Sequence, residues 1–150
     1  MKISTKGRYG TRALVELAMR ETSEPMLLRN IAKEQEISLA YLEHVISPLI
    51  AGGILRSTKG PKGGISLNRK PGDIKLSEVI RLLEGSVAPA DCVDNPDVCD
   101  RAGTCAARDI WCELKQALEN VLSSITVQDL VDRQGDKNCA VAESVNAVLD

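Results

Sequence analysis

A mainly α-helical fold with one small two-stranded sheet is predicted by three features of this 150-residue sequence. Apolar residues recur at helical spacing in the first half, where a short helix, a tight turn and a second helix follow one another. Two short apolar runs then flank a loop rich in Gly and Lys, which is typical of a β-hairpin. A wide apolar stripe in the second half indicates a long helix. This order predicts a winged helix-turn-helix domain with a two-stranded wing, followed by a long C-terminal helix.

The first two helices are predicted from apolar residues spaced along one helical face. The first runs from about Tyr9 to Arg20 and precedes a turn at residues 23–25, where the sequence Ser-Glu-Pro breaks the pattern. The second is short and carries Leu28 and Ile31 on its apolar side.

The third helix is predicted to begin after the N-cap Ser38 and to end at Gly52 and Gly53. Pro48 lies within its apolar stripe and is expected to kink or tighten the helix. The short connection to the second helix makes a helix-turn-helix. The first two turns of the third helix present an outward face formed by Ala40, Tyr41, Glu43, His44 and Ser47.

The wing is predicted to contain strands at residues 54–56 and 65–67. A fourth helix follows at residues 76–83 and is closed by Gly85. The next segment is rich in Asp, Pro and Gly, is expected to be irregular and holds three of the five cysteines. A long helix then starts near Ala106 with a wide stripe formed by Ile110, Trp111, Leu114, Ala117, Leu118, Val121, Leu122 and Ile125.

The end of the chain is predicted to be short and loosely ordered. Thr126 and Asp129 form a capping-box-like pair that starts a short helix. The last residues are polar and weakly patterned, so we expect a loose tail. The predicted organisation is a winged-helix domain at residues 1–84, a cysteine-bearing segment at 85–105, two helices at 106–134 and the tail at 135–150.

The composition excludes several classes of protein. No apolar stretch approaches the ~20 residues that a membrane helix requires, and the N-terminus lacks the apolar core of a secretory signal. We therefore expect a cytoplasmic protein with no membrane partner, in which five irregularly spaced cysteines favour metal or redox chemistry over disulfides. The single histidine, His44, and the lack of a nucleophile–base pair argue against an enzyme.

Charge is unevenly distributed along the chain, although the net charge is only −2. Residues 1–84 carry 14 Lys and Arg against 9 Asp and Glu, whereas residues 85–150 carry 5 against 12. A solvated loop explains a basic run by itself, but a basic wing beside a helix-turn-helix favours a polyanion. Only 2% of the residues are aromatic, which disfavours single-stranded nucleic acid. We therefore expect the first half to bind duplex DNA.

A DNA-binding mode follows from this arrangement. The third helix can place Glu43 and His44 in the major groove, while the wing approaches phosphate or the minor groove. The wing-loop glycines, at positions 60, 63 and 64, are expected to take positive φ and to let the backbone come close to the duplex.

Four stretches of the sequence resemble a known family. They are ISTKGRYG at 3–10, NIAKEQEISLAYLEHVISPL at 30–49, STKGPKGGISL at 57–67 and SSITVQDLV at 123–131. Together they resemble the IscR, NsrR, RirA and CymR family of bacterial transcription regulators, and most closely the IscR type, over residues 1 to about 134. The resemblance implies a homodimer on a palindromic operator, with residues 106–125 as the dimerisation helix.

The resemblance also implies how the protein reads DNA. Lys59 stands where the family usually has a minor-groove arginine, and Ile65 where it often has tyrosine. Lysine reads the minor groove less well than the planar arginine does. The residues expected to contact DNA are Tyr9, Leu28, Ser38, Ala40, Tyr41, Glu43, His44, Ser47, Lys59, Gly60 and Lys62.

Cys92, Cys99 and Cys105 follow a C-x6-C-x5-C pattern that leads into the long helix. Zinc sites prefer cysteines paired two to four residues apart, so zinc is disfavoured. Three soft thiolates suit an iron–sulfur cluster, which tolerates a different fourth donor. A surface loop without a cofactor is the alternative that the spacing leaves open.

Cluster-binding members of the resembling family have three cysteines at this place, which implies that these three bind a cluster, most simply 2Fe–2S. The first interval is one residue longer than in the IscR type, and Arg108 stands where that type has a ligand histidine. The fourth ligand is therefore open between Cys112, Asp109, a loop aspartate, a group of a partner chain and an external thiol. Cys139 is expected to have no specific role.

The predicted function is a transcription regulator whose operator affinity depends on the state of the cluster, with cluster-assembly proteins as further partners. A CymR-like regulator without a cluster, controlled by a protein partner or by thiol oxidation, is one alternative. An iron–sulfur electron carrier or scaffold is the alternative from another class.

Overall fold

The computed structural model describes residues 2–20 and 24–149, with side chains described through residue 141. Ser23, the first residue of the predicted Ser-Glu-Pro turn, lies outside these residues. No helix in the described part is long and apolar enough to cross a membrane. The helices are α1 (Thr5–Ala18), α2 (Leu28–Glu34), α3 (Leu39–Ala51), α4 (Leu76–Glu84), α5 (Asp91–Asp94), α6 (Ala106–Ser124) and α7 (Val127–Leu149), and the strands are β1 (Leu55–Thr58) and β2 (Gly64–Leu67).

A single hydrophobic core joins the helix-turn-helix to the wing and to α4. The predicted apolar faces supply it, since Leu14 of α1, Leu42 of α3 and Val79 of α4 are each at most 1% exposed. Gly10 of α1 faces the Leu83 side chain so closely that a Cβ there would collide with it. The short distance between α1 and α4 therefore depends on a glycine at this position.

The N-terminus of α1 is also tied to the end of α4 by a carboxylate. The backbone N–H and the hydroxyl of Ser4 both donate to Glu84 Oε1, at 3.1 and 2.6 Å. Ser4 Oγ in turn accepts from the Gly7 N–H at 3.2 Å and caps α1. This contact links the start of α1 to the point at which the cysteine-bearing segment begins.

The wing is an antiparallel pair in which Leu55 lies opposite Leu67 and Thr58 lies opposite Gly64. Its base is extended by an isolated bridge between Met26 and Ile65, with two backbone hydrogen bonds of 2.8 Å. Gly64 has a φ of +154°, and a Cβ there would collide with the Met26 carbonyl. This close approach explains why a glycine is needed where β2 begins.

The expectation for the wing glycines is confirmed for two of the three. Gly60 and Gly64 take positive φ, whereas Gly63 does not. Gly63 is needed for space, because a Cβ there would collide with the Thr58 carbonyl inside the hairpin. Its backbone N–H donates to the Gly60 carbonyl at 2.9 Å and closes the loop.

The long helix α6 supplies no residue to the core. It contacts α4 and α5, and no residue of α6 is buried. The chain then returns, since the Leu76 N–H donates to the Ile125 carbonyl and the Val127 N–H to the Ile74 carbonyl, both at 2.9 Å. Val127 is 1% exposed, and α7 packs along α1.

Two expectations for the second half are wrong. The segment at 85–105 is not wholly irregular, because it contains α5 and a 3-10 turn at Pro96–Val98. The loose tail is absent up to residue 149, because α7 continues through it and only Asp150 lies outside the described residues. Residues 127–149 contain no proline and only one glycine, so nothing in the local sequence stops a helix once the Thr126 cap has started it.

Candidate DNA-binding surface and cysteine segment

The helix α3 presents the polar face that the sequence predicts. Its N-cap is Ser38, whose Oγ accepts from the Tyr41 N–H at 3.2 Å. The stripe of Leu42, Val45, Ile46 and Leu49 is buried. Four of the predicted contact residues of this helix are exposed, namely Ala40, Glu43, His44 and Ser47.

Tyr41 differs from these four residues, because it is only half-exposed and packs against the core. Its ring meets the ring of Tyr9 on α1 edge to face, with centroids 6.1 Å apart. The Arg12 guanidinium lies 5.5 Å from the Tyr9 centroid, a distance at which a cation is attracted to the ring. The predicted contact residues Tyr9 and Tyr41 thus form one row with Arg12, which no sequence pattern indicated.

Pro48 lies inside α3 without ending it, since the helix continues to Ala51. Proline cannot donate a helical hydrogen bond, so the carbonyl one turn earlier loses its usual partner. Next to this place the Ser47 hydroxyl donates to the Glu43 carbonyl at 2.7 Å. The hydroxyl of Ser47 is therefore engaged within its own helix. Gly53, with a φ of +71°, then ends the helix as predicted.

The turn between α2 and α3 contains a residue that sequence patterns did not reveal. Glu36 has a φ of +54°, a conformation in which glycine is the usual residue. The Ile37 N–H donates to the Ala32 carbonyl at 3.0 Å and the Glu36 N–H to the Lys33 carbonyl at 3.1 Å. These two bonds close α2 and direct the chain into the N-cap of α3.

The wing loop places Lys59, Gly60 and Lys62 at its exposed tip. The remaining predicted contact residues are less accessible or already engaged. Leu28 is half-buried against the core, and Ser38 is exposed but caps α3. The structure therefore brings a polar helix face and a basic loop tip to the surface.

The cysteines lie along the path from α5 to α6. Cys92 is half-buried in α5, Cys99 is exposed after the 3-10 turn, and Cys105 is half-buried at the N-cap of α6. Cys112 is half-buried farther along α6, and Cys139 is exposed on α7. All five are free thiols. Asp109, the other fourth-ligand candidate, is exposed on the first turn of α6.

Arg108 has a structural contact that no sequence pattern indicated. Its Nε donates to the Cys92 carbonyl at 2.8 Å, while its backbone N–H donates to the Cys105 carbonyl at 3.0 Å. Arg108, which stands where the IscR type has a ligand histidine, thus joins Cys92 to the first turn of α6, which follows Cys105. These partners are 16 positions apart, so only the fold brings them together.

A salt bridge reinforces the same connection. Lys115 Nζ on α6 lies 2.7 Å from Asp94 Oδ1 on α5 and 3.7 Å from Glu119 Oε1. The hydrogen bond that Lys115 donates to Asp94 lowers the pKa of the Asp94 carboxyl and raises the pKa of Lys115. Because these groups face solvent, the bridge orients α5 on α6 more than it stabilises the fold.

The thiols fit an iron–sulfur cluster in chemistry but not in arrangement. Three soft donors within one segment are the ligands that such a cluster uses. Within residues 2–20 and 24–141, however, no group of three or more His, Cys, Asp or Glu side chains is placed to hold a metal ion. The segment must change shape before its three cysteines can share one cluster.

Comparison with known proteins decides the family. The model of the Rrf2 family, described as an iron-dependent transcriptional regulator, matches residues 3–133. The chain belongs to the Rrf2 family. Protein rrf2 of Nitratidesulfovibrio vulgaris is 38% identical to it over 131 residues, which are 87% of each chain. The expected resemblance to the IscR and CymR regulators is thereby confirmed at the level of the family.

Solved structures of Rrf2 relatives share the fold. CymR, the global cysteine regulator of B. subtilis, is 35% identical and covers 89% of this chain and 98% of its own, with a TM-score of 0.73. T. potens IscR is 35% identical over 89% of this chain and 88% of its own, with a TM-score of 0.72. The chain is therefore a winged-helix, DNA-binding transcription regulator, and its relatives are regulators rather than enzymes.

Proposed function

We propose that this Rrf2-family chain is a cytoplasmic homodimer whose affinity for a palindromic operator is set by an iron–sulfur cluster at Cys92, Cys99 and Cys105. The observation that carries the proposal is the position of these three free thiols. They lie on a segment that Arg108 and Lys115 attach to α6, the helix with an exposed apolar face. A change in this segment therefore acts directly on the helix proposed to pair the two subunits.

The DNA contacts proposed for each subunit are those of the α3 face and the wing tip. Glu43 and His44 have no side-chain hydrogen bond or ion pair among the described residues and face solvent, so they are free to reach base edges. Lys59 and Lys62 supply positive charge for phosphates or the minor groove. Tyr9 and Tyr41 hold the position of α3 relative to α1.

The homodimer is proposed because α6 exposes large apolar side chains along its length. Ile110 is 51% exposed, Leu114 40% and Val121 57%, and Trp111 between them is 38% exposed. A soluble monomer seldom leaves a continuous apolar face of this kind uncovered. A second copy of α6 would cover it and set the distance between the two α3 helices, which a palindromic operator requires.

The cysteines would hold the cluster, which supplies a redox-active anionic group when it is bound. Cys105 stands at the N-cap of α6, where the helix dipole favours a thiolate. Arg108 is committed to the Cys92 carbonyl, so the fourth ligand must come from another group. Cys112 and Asp109 on α6 and a loop aspartate remain the candidates within the chain, and cluster-assembly proteins are the proposed source of the cluster.

The experiment is anaerobic purification followed by an absorption spectrum and counts of iron and acid-labile sulfide. We expect about two of each per subunit, as in a 2Fe–2S centre. A Cys92→Ser, Cys99→Ser, Cys105→Ser variant should be colourless, whereas Cys139→Ser should resemble the wild type. The affinity of wild-type protein for operators selected from random duplexes should change about five- to a hundredfold when the cluster is lost.

A second candidate is regulation by thiol oxidation without a cluster. It is favoured by the separation of the thiols in the structure, by the exposure of Cys99, and by the similarity to a global cysteine regulator. Wild-type protein that is colourless after anaerobic purification would exclude the cluster. If peroxide then changes the DNA affinity of the wild type but not of Cys99→Ser, thiol oxidation is the mechanism instead. The electron-carrier interpretation has no support from the family, whose described members regulate transcription.

A further inference from the structure

A surface cavity of about 520 Å³ lies beside the base of the wing, next to the end of α1. Cations from three separate segments of the chain line it. Arg20 follows α1, Arg56 lies in β1 and Lys70 follows β2. All three side chains are exposed, and together they form the wing flank.

The positive charge of the wing flank is only partly balanced. Arg69 also lines the cavity, but its Nη2 is paired with Glu78 Oε1 at 2.7 Å. Glu24 is the one carboxylate among the described residues that line the cavity. The three cations of the wing flank form no ion pair with any residue that the structure describes. An excess of two positive charges therefore remains for an anion.

Two of these cations are held in place by neutral partners. Arg56 Nε donates to the hydroxyl of Ser66, which is only 6% exposed, at 2.9 Å. Arg20 Nη1 donates to the sulfur of Met26 at 3.4 Å. The other guanidinium nitrogens have no hydrogen bond among the described residues. A side chain that is already held loses less conformational freedom on binding, and a guanidinium can donate two bonds to one phosphate.

The wing flank adjoins the wing tip. A second cavity, of about 420 Å³, shares Arg20 and Glu24 with the first and is also lined by Lys62 of the wing loop. Arg56 and Lys59 are three residues apart, which is about 10 Å at the usual rise of a strand. One DNA strand carries a phosphate about every 3.4 Å along the helix axis. The basic surface from the flank to the tip therefore spans about three phosphates.

We propose that the wing flank binds backbone phosphates of the DNA strand beside the groove that the wing tip enters. This inference rests on the proposed DNA contacts of α3 and the wing tip. Phosphate contacts carry no sequence information, but they fix the register and orientation of a protein on the duplex. The wing flank therefore adds affinity for every sequence and holds the wing on the duplex, while α3 supplies the base contacts.

A small free anion is a different occupant for the same charges, but the structure favours DNA. A small-molecule site encloses most of its ligand and is lined mainly by apolar side chains. The cations of the wing flank are exposed instead, and they continue the basic surface of the wing tip. An extended polyanion fits such a surface better than a small molecule does.

The test is fluorescence anisotropy on the full-length protein at several salt concentrations, with a selected operator and a random duplex of equal length. Arg20→Gln, Lys70→Gln should lower the salt slope by about two per subunit on both duplexes, because each lost phosphate contact flattens it by about one. Operator binding should weaken at least about tenfold at roughly 0.1 M salt. Arg56 stays unchanged because its bond to Ser66 joins the two strands.

Two control variants separate charge from structure. Arg81→Gln, Lys137→Gln removes the same charge at exposed positions outside the wing flank and should keep the wild-type slope. Arg20→Lys, Lys70→Arg keeps both charges and should keep the slope as well. An unchanged slope in Arg20→Gln, Lys70→Gln, or an equal loss in the charge-keeping variant, would overturn the proposal.

Titration calorimetry with inorganic phosphate tests the small anion. If the wild type binds phosphate, and Arg20→Gln, Lys70→Gln loses this binding but keeps the salt slope for DNA, the cavity is a small-anion site and the proposal is wrong. No phosphate binding, together with a lowered slope, supports DNA as the occupant.

Uncharged methylphosphonates placed singly in the operator then locate the contact. Those beside the groove that the wing enters should weaken binding of the wild type. At about two positions in each half-site the weakening should disappear in Arg20→Gln, Lys70→Gln, because the cations that met those phosphates are gone. Equal weakening of both proteins at every position would contradict the proposal.

Failure of the wing flank is distinguishable from failure of the proposed function. If Lys59→Ala, Lys62→Ala lowers the salt slope but Arg20→Gln, Lys70→Gln does not, the wing flank is wrong and the regulator stands. If the wild type binds neither the random duplex nor any selected operator, the proposed DNA contacts and the wing flank are both wrong.

Discussion

The two halves of the molecule bury apolar surface in different ways. Among the described residues, every buried apolar side chain except Ala102 and Val127 lies before residue 85. The helix α6 has no buried residue, and four of its large apolar side chains are exposed. Residues 2–84 therefore supply nearly all of the core, with Val127 of α7 added, whereas α6 keeps its apolar side chains exposed. The proposed regulation would use this difference, because a rigid DNA-binding part can be repositioned only by a part that does not share most of its core.

The contrast in burial is tested most strongly in α3. Leu42 is fully buried, so Leu42→Ala should lower the free energy of unfolding by about 3 kcal/mol through lost burial and a cavity. Leu39→Ala, on the same helix but 42% exposed, should lower it by less than about 0.5 kcal/mol. Urea denaturation of both variants measures the difference. Similar losses for the two would mean that α3 is not packed as described.

On α6, in contrast, a substitution is expected to change the association of subunits rather than the stability of the core. Val121→Asp places a charge in the exposed apolar face and should raise the dissociation constant of the proposed dimer at least tenfold. Asn120→Asp adds the same charge at the neighbouring exposed position and serves as the control. Analytical ultracentrifugation measures the dissociation constants. A dimer indifferent to Val121→Asp would locate the subunit interface elsewhere.

The proposed DNA contacts of the wing tip and of α3 are expected to have different roles, one in charge and the other in sequence recognition. Lys59→Ala with Lys62→Ala should weaken binding to all duplexes about equally and reduce the salt slope by about two. His44→Ala should instead change the preferred operator with little effect on the slope. Fluorescence anisotropy at several salt concentrations separates the two. Identical profiles for the two variants would show that α3 does not enter the major groove.

The smallest effect on stability is expected at the start of α7, where the chain returns to the core. Asp129 Oδ2 accepts from the Thr126 N–H and hydroxyl, both at 2.7 Å, and chiefly the backbone bond lowers the pKa of Asp129. A lowered folded-state pKa stabilises the native protein above about pH 4, and this contribution is lost as pH falls through the folded value. Thermal unfolding between pH 6 and pH 3 measures it.

Two variants sharpen this pH experiment. Asp129→Asn should lose stability at pH 6 and show a weaker dependence on acid than wild type. Asp136→Asn, an exposed carboxylate on the same helix, should follow the wild-type profile. Equal behaviour of the two variants would show that the capping pair does not stabilise α7.

The sequence predicted those elements whose signals lie within a few neighbouring residues. Apolar spacing located α1, α3, α4 and α6, and the Ser38 cap, the Gly85 end of α4 and the Thr126–Asp129 pair agree with the structure. The end of α7 was not predictable in this way, because its polar residues show little periodicity although none of them stops a helix. Glu36 was missed because a positive φ at a non-glycine residue leaves no local signature.

By itself the sequence determined α1 to α4, α6, the hairpin, the polar face of α3 and the separation of charge, since each depends on neighbours a few positions apart. Only the tertiary structure decided which distant groups meet. The Met26–Ile65 bridge, the bond from Arg108 to Cys92 and the row of Arg12, Tyr9 and Tyr41 each join separate elements. It also showed that the three cysteines lie on one segment without sharing a site. Residue spacing along a chain specifies local hydrogen bonds, but the distance between side chains depends on how the elements pack.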